Sequence, residues 1–396
     1  MNCVFISPNH PRTHWMFTNR LKANGVNVLG IGDCPYDELN DNVRDSLTEY
    51  YYVQEIKDYN QVFRAVAFFS FKYGKIDWLE SNNEFWLEQD ARLRSDFNIT
   101  TGVKEDEIGY YKRKSLMKGC YKKAKVPSAR QIKITTIEEA LAFIKQVGYP
   151  VIVKPDIGVS AYATYKLSDE DAVRGFFADH VELPYVMEEY VEGNIFSYDA
   201  ILDNQGKPLM EACTQWPPSI MNVVADKLDL AYYVRADVPD KLKKAAVATI
   251  NGFGVKSRFV HLEFFCLTKD KKCLGKKGDF VGLEVNMSPA EGYTPDLINY
   301  AHSIDVYKIW ADMVTYNKRT NSGSQESMFC VYAGRRDQFN YVHTPAEISK
   351  KYGNDMIMAE RMSPAMVPQM GNQCYIVKLK TEKEVKEFIK FVTERR

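Results

Sequence analysis

Short apolar runs alternate with amphipathic stretches along the first hundred residues. Cys3–Ile6, Val26–Ile31, Tyr50–Val53 and Arg64–Phe69 read as strands. Between the first two, Trp15–Ala23 reads as a helix, and Asn24-Gly25 is its stop signal. Alternation of this kind predicts an α/β unit over 1–100, with a mostly parallel sheet covered by helices. Asp77–Phe97 then reads as one long amphipathic helix carrying Trp78, Leu79, Phe85, Trp86 and Leu93 at helical spacing, their role being core packing.

The pattern changes over 101–316. A basic helix, Tyr111–Lys125, is closed by Val126-Pro127. The strand Gln131–Ile134 leads into a helix whose N-cap is Thr135 or Thr136, with Glu138 and Glu139 in its first turn. Gly148-Tyr149-Pro150 ends that helix, and the apolar strand Val151-Ile152-Val153 then terminates in Lys154-Pro155. Asn317–Gln325 is polar and reads as a linker. The last piece, 325–396, carries strands near Met328–Ala333 and Gln373–Leu379 and a charged helix over Glu382–Arg395.

The most informative stretch is a predicted hairpin. Its strands are Phe259–Phe265 and Phe280–Met287, joined by the Lys- and Gly-rich segment Thr268–Asp279. Side chains of a strand alternate between faces. Strict alternation puts Gly282, Glu284 and Asn286 on one face and Val281, Leu283, Val285 and Met287 on the other. Glu263 lies between Leu262 and Phe264, in a run too apolar for a solvent face, and pairing can set it beside Glu284. Two carboxylates and an amide oxygen suit magnesium, which takes few protein oxygens and completes its shell with water and phosphates. Glutamates pointing into water are the plain alternative.

Composition narrows the class. Lys plus Arg equals Asp plus Glu at 52 each, and hydrophobic residues make up 45%. A balanced globular chain has no long-range field for nucleic acid or anionic lipid, so neither nucleic acid nor membrane is expected as a partner. The length of 396 residues asks for two or three domains. The eight cysteines form no Cys-x-x-Cys pair, so they read as reduced thiols. With no leader pattern at the N-terminus, a cytoplasmic location is expected.

Lys154 at the end of an apolar strand must meet a charge or reach the surface. The following Asp156–Ala161, rich in small residues, can fold over phosphates by its backbone N–H groups. Lys114 lies among Lys112, Arg113 and Lys118, where a solvated helix face is the plain reading. Pro184–Gly193 is a short strand entering a glycine turn, and its extended backbone can hydrogen-bond an adenine edge. Other signals fall away. Gly252-Phe253-Gly254 follows a helix rather than a strand, and no Gly-x-x-x-x-Gly-Lys or Gly-x-Ser-x-Gly motif is present. His10 and His14 gain no further ligands nearby, so zinc is not expected there.

Lys114, Lys154-Pro155, Glu188-Glu189-Tyr190-Val191, Glu263 and Glu284-Val285-Asn286 stand in an order and at separations that resemble the ATP-grasp superfamily, in particular its carboxylate–amine ligases and the carbamoyl-phosphate-synthase-like branch. The resemblance covers nearly the whole chain. It implies an α/β protein: a Rossmann-like pre-ATP-grasp domain over 1–100, an ATP-grasp domain over 101–316 whose two α+β lobes clasp ATP, and a small α/β C-terminal domain over 325–396. It implies a Mg-dependent ligase that activates a carboxylate as an acyl phosphate and passes it to an amine, acting on small molecules, with a homodimer as a common assembly.

By the same resemblance, Lys114 and Lys154 contact the ATP phosphates, and the loop from Gly158 through Ser160 to Ala161 closes over them. Glu188, Glu189 and Val191 line the adenine. Glu263, Glu284 and Asn286 hold two magnesium ions, for which manganese can substitute, and Glu284 bridges them. Lys154 and Glu284 thereby gain catalytic roles. The chain departs from the family pattern at Ser288, where many relatives carry an arginine near the acyl phosphate, and at Ile195, where many carry a glutamate. Arg235 or Arg258 is the candidate to supply the missing charge. The alternatives are carbamoyl-phosphate-like chemistry on bicarbonate or carbamate, and a nucleotide-binding module without catalysis.

Overall fold

The strand β1 (Asn2–Ile6) is buried along its whole length and pairs in parallel with β2 (Asn27–Gly32) and β4 (Trp78–Glu80), while β3 (Glu49–Tyr52) pairs with β2. This gives a parallel sheet of order β3-β2-β1-β4 in the computed structural model of the chain. The structure describes residues 1–158, 163–179, 184–217, 228–321, 327–364 and 366–396. The helix Trp15–Ala23 falls where its pattern placed it.

Two expectations for this unit fail. Arg64–Phe69 is no strand but the middle of a helix, Tyr59–Tyr73, whose N-cap Asp58 accepts from Asn60 N. Val62, Ala65, Val66 and Phe69 are its buried positions, spaced three and four apart, so the apolar run was one helix face. Asp77–Phe97 is no single helix either. Trp78-Leu79-Glu80 becomes β4 beside β1, Asn82 turns the chain with a φ of 51°, and the helix is confined to Leu87–Asp96.

A second, antiparallel sheet has the order β5-β8-β6-β7, from β5 (Gln131–Ile134), β6 (Val151–Pro155), β7 (Tyr165–Leu167) and β8 (Tyr185–Glu189). The helices Ile137–Val147 and Glu170–Asp179 cover one face of it. Thr136 is the N-cap of the first and forms a capping box with Glu139.

The third sheet has eight strands, β13-β12-β9-β10-β11-β14-β16-β15, each pair antiparallel. They are β9 (Gly193–Leu202), β10 (Pro208–Trp216), β11 (Ala231–Val234), β12 (Arg258–Leu267), β13 (Phe280–Asn286), β14 (Phe329–Arg335), β15 (Met356–Arg361) and β16 (Gln373–Leu379). The helices Lys114–Ala124 and Asp240–Phe253 pack on one face. The opposite face shares a core with the helix Val306–Tyr316 and with Phe5, Phe17 and Val28 of the first unit. Phe17 meets Trp310 with ring centroids 5.1 Å apart. The helices Pro345–Tyr352 and Glu382–Thr393 close the far end.

The basic helix also departs from expectation. It is split into Glu105–Lys112 and Lys114–Ala124 by an extended Arg113 (φ −97°, ψ 113°). Asp156, just past β6, supplies the reason. Its carbonyl accepts from Lys114 N, and its carboxylate accepts from Ser115 N and Ser115 Oγ at 2.8 and 2.9 Å. The orphan N–H groups of a helix start are thus met by the loop that follows the lysine strand.

Candidate active site

A cavity of about 550 Å³ lies between the small sheet and the face of the large sheet that carries β12 and β13. In β6 the residues Val151 and Val153 face the helix-covered core, so Ile152 and Lys154 line the cavity. Lys154 is 7% exposed, and its charge is met: Nζ lies 2.7 Å from Glu188 Oε2 on the adjacent β8. Glu188 Oε1 accepts from Lys118 Nζ at 2.7 Å and Gln131 Nε2 at 2.8 Å. Burial works against ionisation, but Lys118 and Lys154 outweigh it and hold the Glu188 carboxyl at about 2.

The hairpin brings the carboxylates together. Glu263 on β12 is the direct partner of Glu284 on β13, and His261 is the partner of Asn286. The split helix starts at Lys114, whose Nζ lies 2.9 Å from Glu284 Oε1 and donates to the Gly158 carbonyl at 2.9 Å. Burial opposes the Glu284 charge, yet Lys114 and Lys154 keep that carboxyl below the usual range.

Strict alternation fails in β13, and the failure shapes the site. The register slips between Glu263 and Phe264, so that Phe264 faces Gly282 and Leu283 is left over as a bulge. Leu283 therefore lines the cavity next to Glu284. Gly282 turns to the opposite face, where a Cβ would come within 2.3 Å of the Tyr121 ring. The glycine makes room for a helix, not for a ligand.

Three groups escaped the sequence reading. His261 Nδ1 lies 2.6 Å from Asp199 Oδ1, and Nε2 lies 3.3 Å from Glu263 Oε1. Burial disfavours its charge, but Asp199 and then Glu263 raise its pKa to about 10, so the ring is an imidazolium at neutral pH. Alternation contained the signal, since His261 and Glu263 share a face of β12, and Ser197 and Asp199 are polar positions of a buried β9. Glu84, from the first unit, also lines the cavity and accepts from Met287 N, one residue past Asn286. No local pattern marks Glu84, because its carboxylate is placed by contacts across the fold, to Lys112 and to Met287 N some two hundred residues on. Lys118 reaches the site because it sits one helical turn after Lys114.

Other expected site residues go elsewhere. Arg258 is 2% exposed and away from the cavity lining, with Nε donating to the Met287 carbonyl at 2.8 Å and Nη2 lying 3.3 Å from Glu80. Arg235 pairs with Asp237 and Glu382 on the far side of the sheet. Neither brings a charge to the cleft, because each is consumed by a carboxylate near its own strand. The Glu189 carboxylate is held by Arg130, at 2.7 Å, although the residue borders the cavity beside Tyr190 and Val191. Ser288 is 2% exposed and lies outside the lining of the main cavity. Ser160 and the rest of the phosphate-loop expectation at 159–161 lie outside the described residues.

Among the described residues, no three His, Cys, Asp or Glu side chains converge as a ready-made metal cage. Two facing carboxylates and a neighbouring amide still fit a hard divalent ion that arrives with phosphate oxygens. The ammonium of Lys114 stands against Glu284 where such a cation would be attracted.

Residues 113–181 match the family model described as the carbamoyl-phosphate synthase L chain, ATP binding domain. The carbamoyl phosphate synthase large chain of Clostridium acetobutylicum is 30% identical over 88 residues, which are 21% of this chain and 8% of that one. The chain thus matches only a small part of that relative's length. An L-amino acid ligase from Bacillus licheniformis superposes with a TM-score of 0.67 at 14% identity, covering 99% of this chain and 96% of the other. This is an ATP-grasp fold. The biotin carboxylase domain of 2-oxoglutarate carboxylase from Hydrogenobacter thermophilus, solved with MgADP and bicarbonate, superposes with a TM-score of 0.67 at 15% identity and covers 98% and 89% of the two chains. Among the described residues no helix is long and apolar enough to cross a membrane.

Proposed function

We propose that the chain is an ATP-dependent ligase that joins a small carboxylate to an amine, releasing ADP and phosphate. The observation that carries this reading is the pairing of Glu263 with Glu284 across the hairpin, opposite Lys114 and Lys154 in one cleft. Lys154 and Lys114 would lie along the triphosphate and neutralise it. Glu263, Glu284 and Asn286 would hold magnesium, which supplies Lewis-acid neutralisation of the phosphate oxygens when bound. The reaction balances in two steps. A carboxylate oxygen attacks the γ-phosphorus, the bond from that phosphorus to the bridging β–γ oxygen breaks, and ADP leaves. An amine nitrogen then attacks the acyl carbon, the bond to the phosphate oxygen breaks, and the amine loses a proton.

The ion pairs drawn in the cleft have a role in this scheme. Lys114 would exchange the Glu284 carboxylate for phosphate, which would leave that carboxylate free to hold magnesium. His261, held between Asp199 and Glu263, keeps the Glu263 carboxylate oriented toward the cleft. The L-amino acid ligase likeness favours a carboxylate–amine pair, and the biotin carboxylase likeness keeps bicarbonate in the test panel.

The test is ADP release from MgATP with single acids and amines, bicarbonate included. Glu284→Gln is expected to lower turnover by about 10²-fold or more, because a charged oxygen ligand would be lost from the magnesium that neutralises the reacting phosphates. ATP binding measured by calorimetry with no turnover on any acid would reject the ligase reading in favour of a binding module. Turnover that needs bicarbonate would turn it to carboxyphosphate chemistry.

A further inference from the structure

We propose that the carboxylate substrate carries a flat or long apolar side group, seated on Ile195, Trp216 and Tyr232. The proposal rests on the ligase reading of the same cleft and names its substrate class.

Strand register lays out the floor. Phe265 on β12, Ile195 on β9 and Trp216 on β10 are direct partners in one row. Tyr232 on β11 stacks on Trp216, with ring centroids 4.3 Å apart and an interplanar angle of 14°. Tyr332 backs Tyr232 from β14 at 5.1 Å and 23°, so the platform is held by stacking from behind. The next row on the same face is polar: Glu263, Ser197 and Thr214 are partners across the same three strands. Residues two apart on a strand lie about 7 Å apart, so the floor changes from charged to apolar within one small molecule's length.

From β12 to β10 is about 10 Å at ordinary strand spacing. A carboxylate that meets the γ-phosphate near Glu263 and Glu284 would therefore have Trp216 within reach of its remaining atoms. Leu230 and Met370 border the same end of the cavity, and the flexible thioether of a methionine adapts to varied apolar shapes.

Charge points the same way. The cations among the described lining residues are Lys114, Lys154 and His261, and each already faces a carboxylate. None stands on the Ile195–Trp216–Tyr232 row. A substrate whose tail bears a phosphate or second carboxylate would meet no cation there among the described residues, with the uncharged indole N–H of Trp216 as a donor on that row. An apolar side group brings no charge that has to be desolvated, and an aromatic one gains ring stacking.

The experiment uses the full chain, MgATP and hydroxylamine, which captures an acyl phosphate as a hydroxamate and frees the assay from the unknown amine. Phenylalanine, methionine and leucine are compared with glycine, aspartate and bicarbonate. Hydroxamate is expected from the apolar acids, with KM at least tenfold lower than for any small or charged acid. Trp216→Ala and Ile195→Glu should each raise that KM at least tenfold while leaving the calorimetric affinity for a non-hydrolysable ATP analogue unchanged. Trp216→Phe should retain it, which guards against a folding defect in the alanine variant. Hydroxamate chiefly from glycine or aspartate, or an unmoved KM in the Ile195→Glu variant, would overturn the subsite and leave the ligase reading standing. ADP release stimulated by no acid would overturn both.

Discussion

A single protonated histidine sits at the centre of the charged end of the cleft. His261 is flanked by two carboxylates, and its pKa stands at about 10 against an ordinary 6.5. A raised histidine adds stability that is complete below the unfolded value and is lost as pH rises through the folded one. The penalty of His261→Gln should accordingly be largest near pH 6 and shrink as pH approaches 10, as read by denaturant melts at each pH. A penalty that stays constant across this window would refute the imidazolium. The two lysines differ from it. Lys154 is locked to Glu188, which was legible as a charge that an apolar strand end must satisfy, whereas the partner itself was not.

At the scale of elements, the bulge at Leu283 decides which side chains of β13 meet the cleft. It turns Gly282 toward the helix Lys114–Ala124, so strand and helix touch at Tyr121, which is 1% exposed. Gly282→Ala forces a Cβ onto that ring, and overpacking of this kind costs about 1–3 kcal/mol. A lowered thermal midpoint is the expected reading, and Tyr121→Ala in the same chain should relieve part of the clash. The split at Arg113 acts likewise. By starting a new helix on Asp156, it couples Lys114 to the loop after Lys154, so both cleft lysines are set by one cap.

Across the whole molecule, the large sheet does not end at the polar stretch Asn317–Gln325. β14 pairs with β11, and Cys330, Tyr332 and Ile376 belong to the same core as Trp216 and Tyr232. A chain ended after residue 321 would expose β11 and half of the aromatic stack. It should lose cooperative unfolding by circular dichroism, and a sharp transition in that fragment would show that the C-terminal part is independent. The first unit is tied in by the same core and by a second, polar link. Met287 donates its N–H to Glu84, and its carbonyl accepts from Arg258, which also meets Glu80 of β4. Asn286 is therefore positioned by residues from the first hundred.

Period and punctuation in the chain were enough to determine β1, β2, β6, the helix Trp15–Ala23 and the two strands of the hairpin, since these depend on local alternation and caps, and they allowed Glu263 to face Glu284. They failed at Arg64–Phe69 and Trp78–Glu80, where short apolar runs satisfy both periods and only a neighbouring strand or a core settles the choice. The tertiary structure alone decided the bulge, the use of Arg258 and Arg235 as internal ties, and the meeting of His261 with Asp199. Those outcomes turn on which charges become neighbours once desolvated, a property of contacts between distant segments that no local pattern contains.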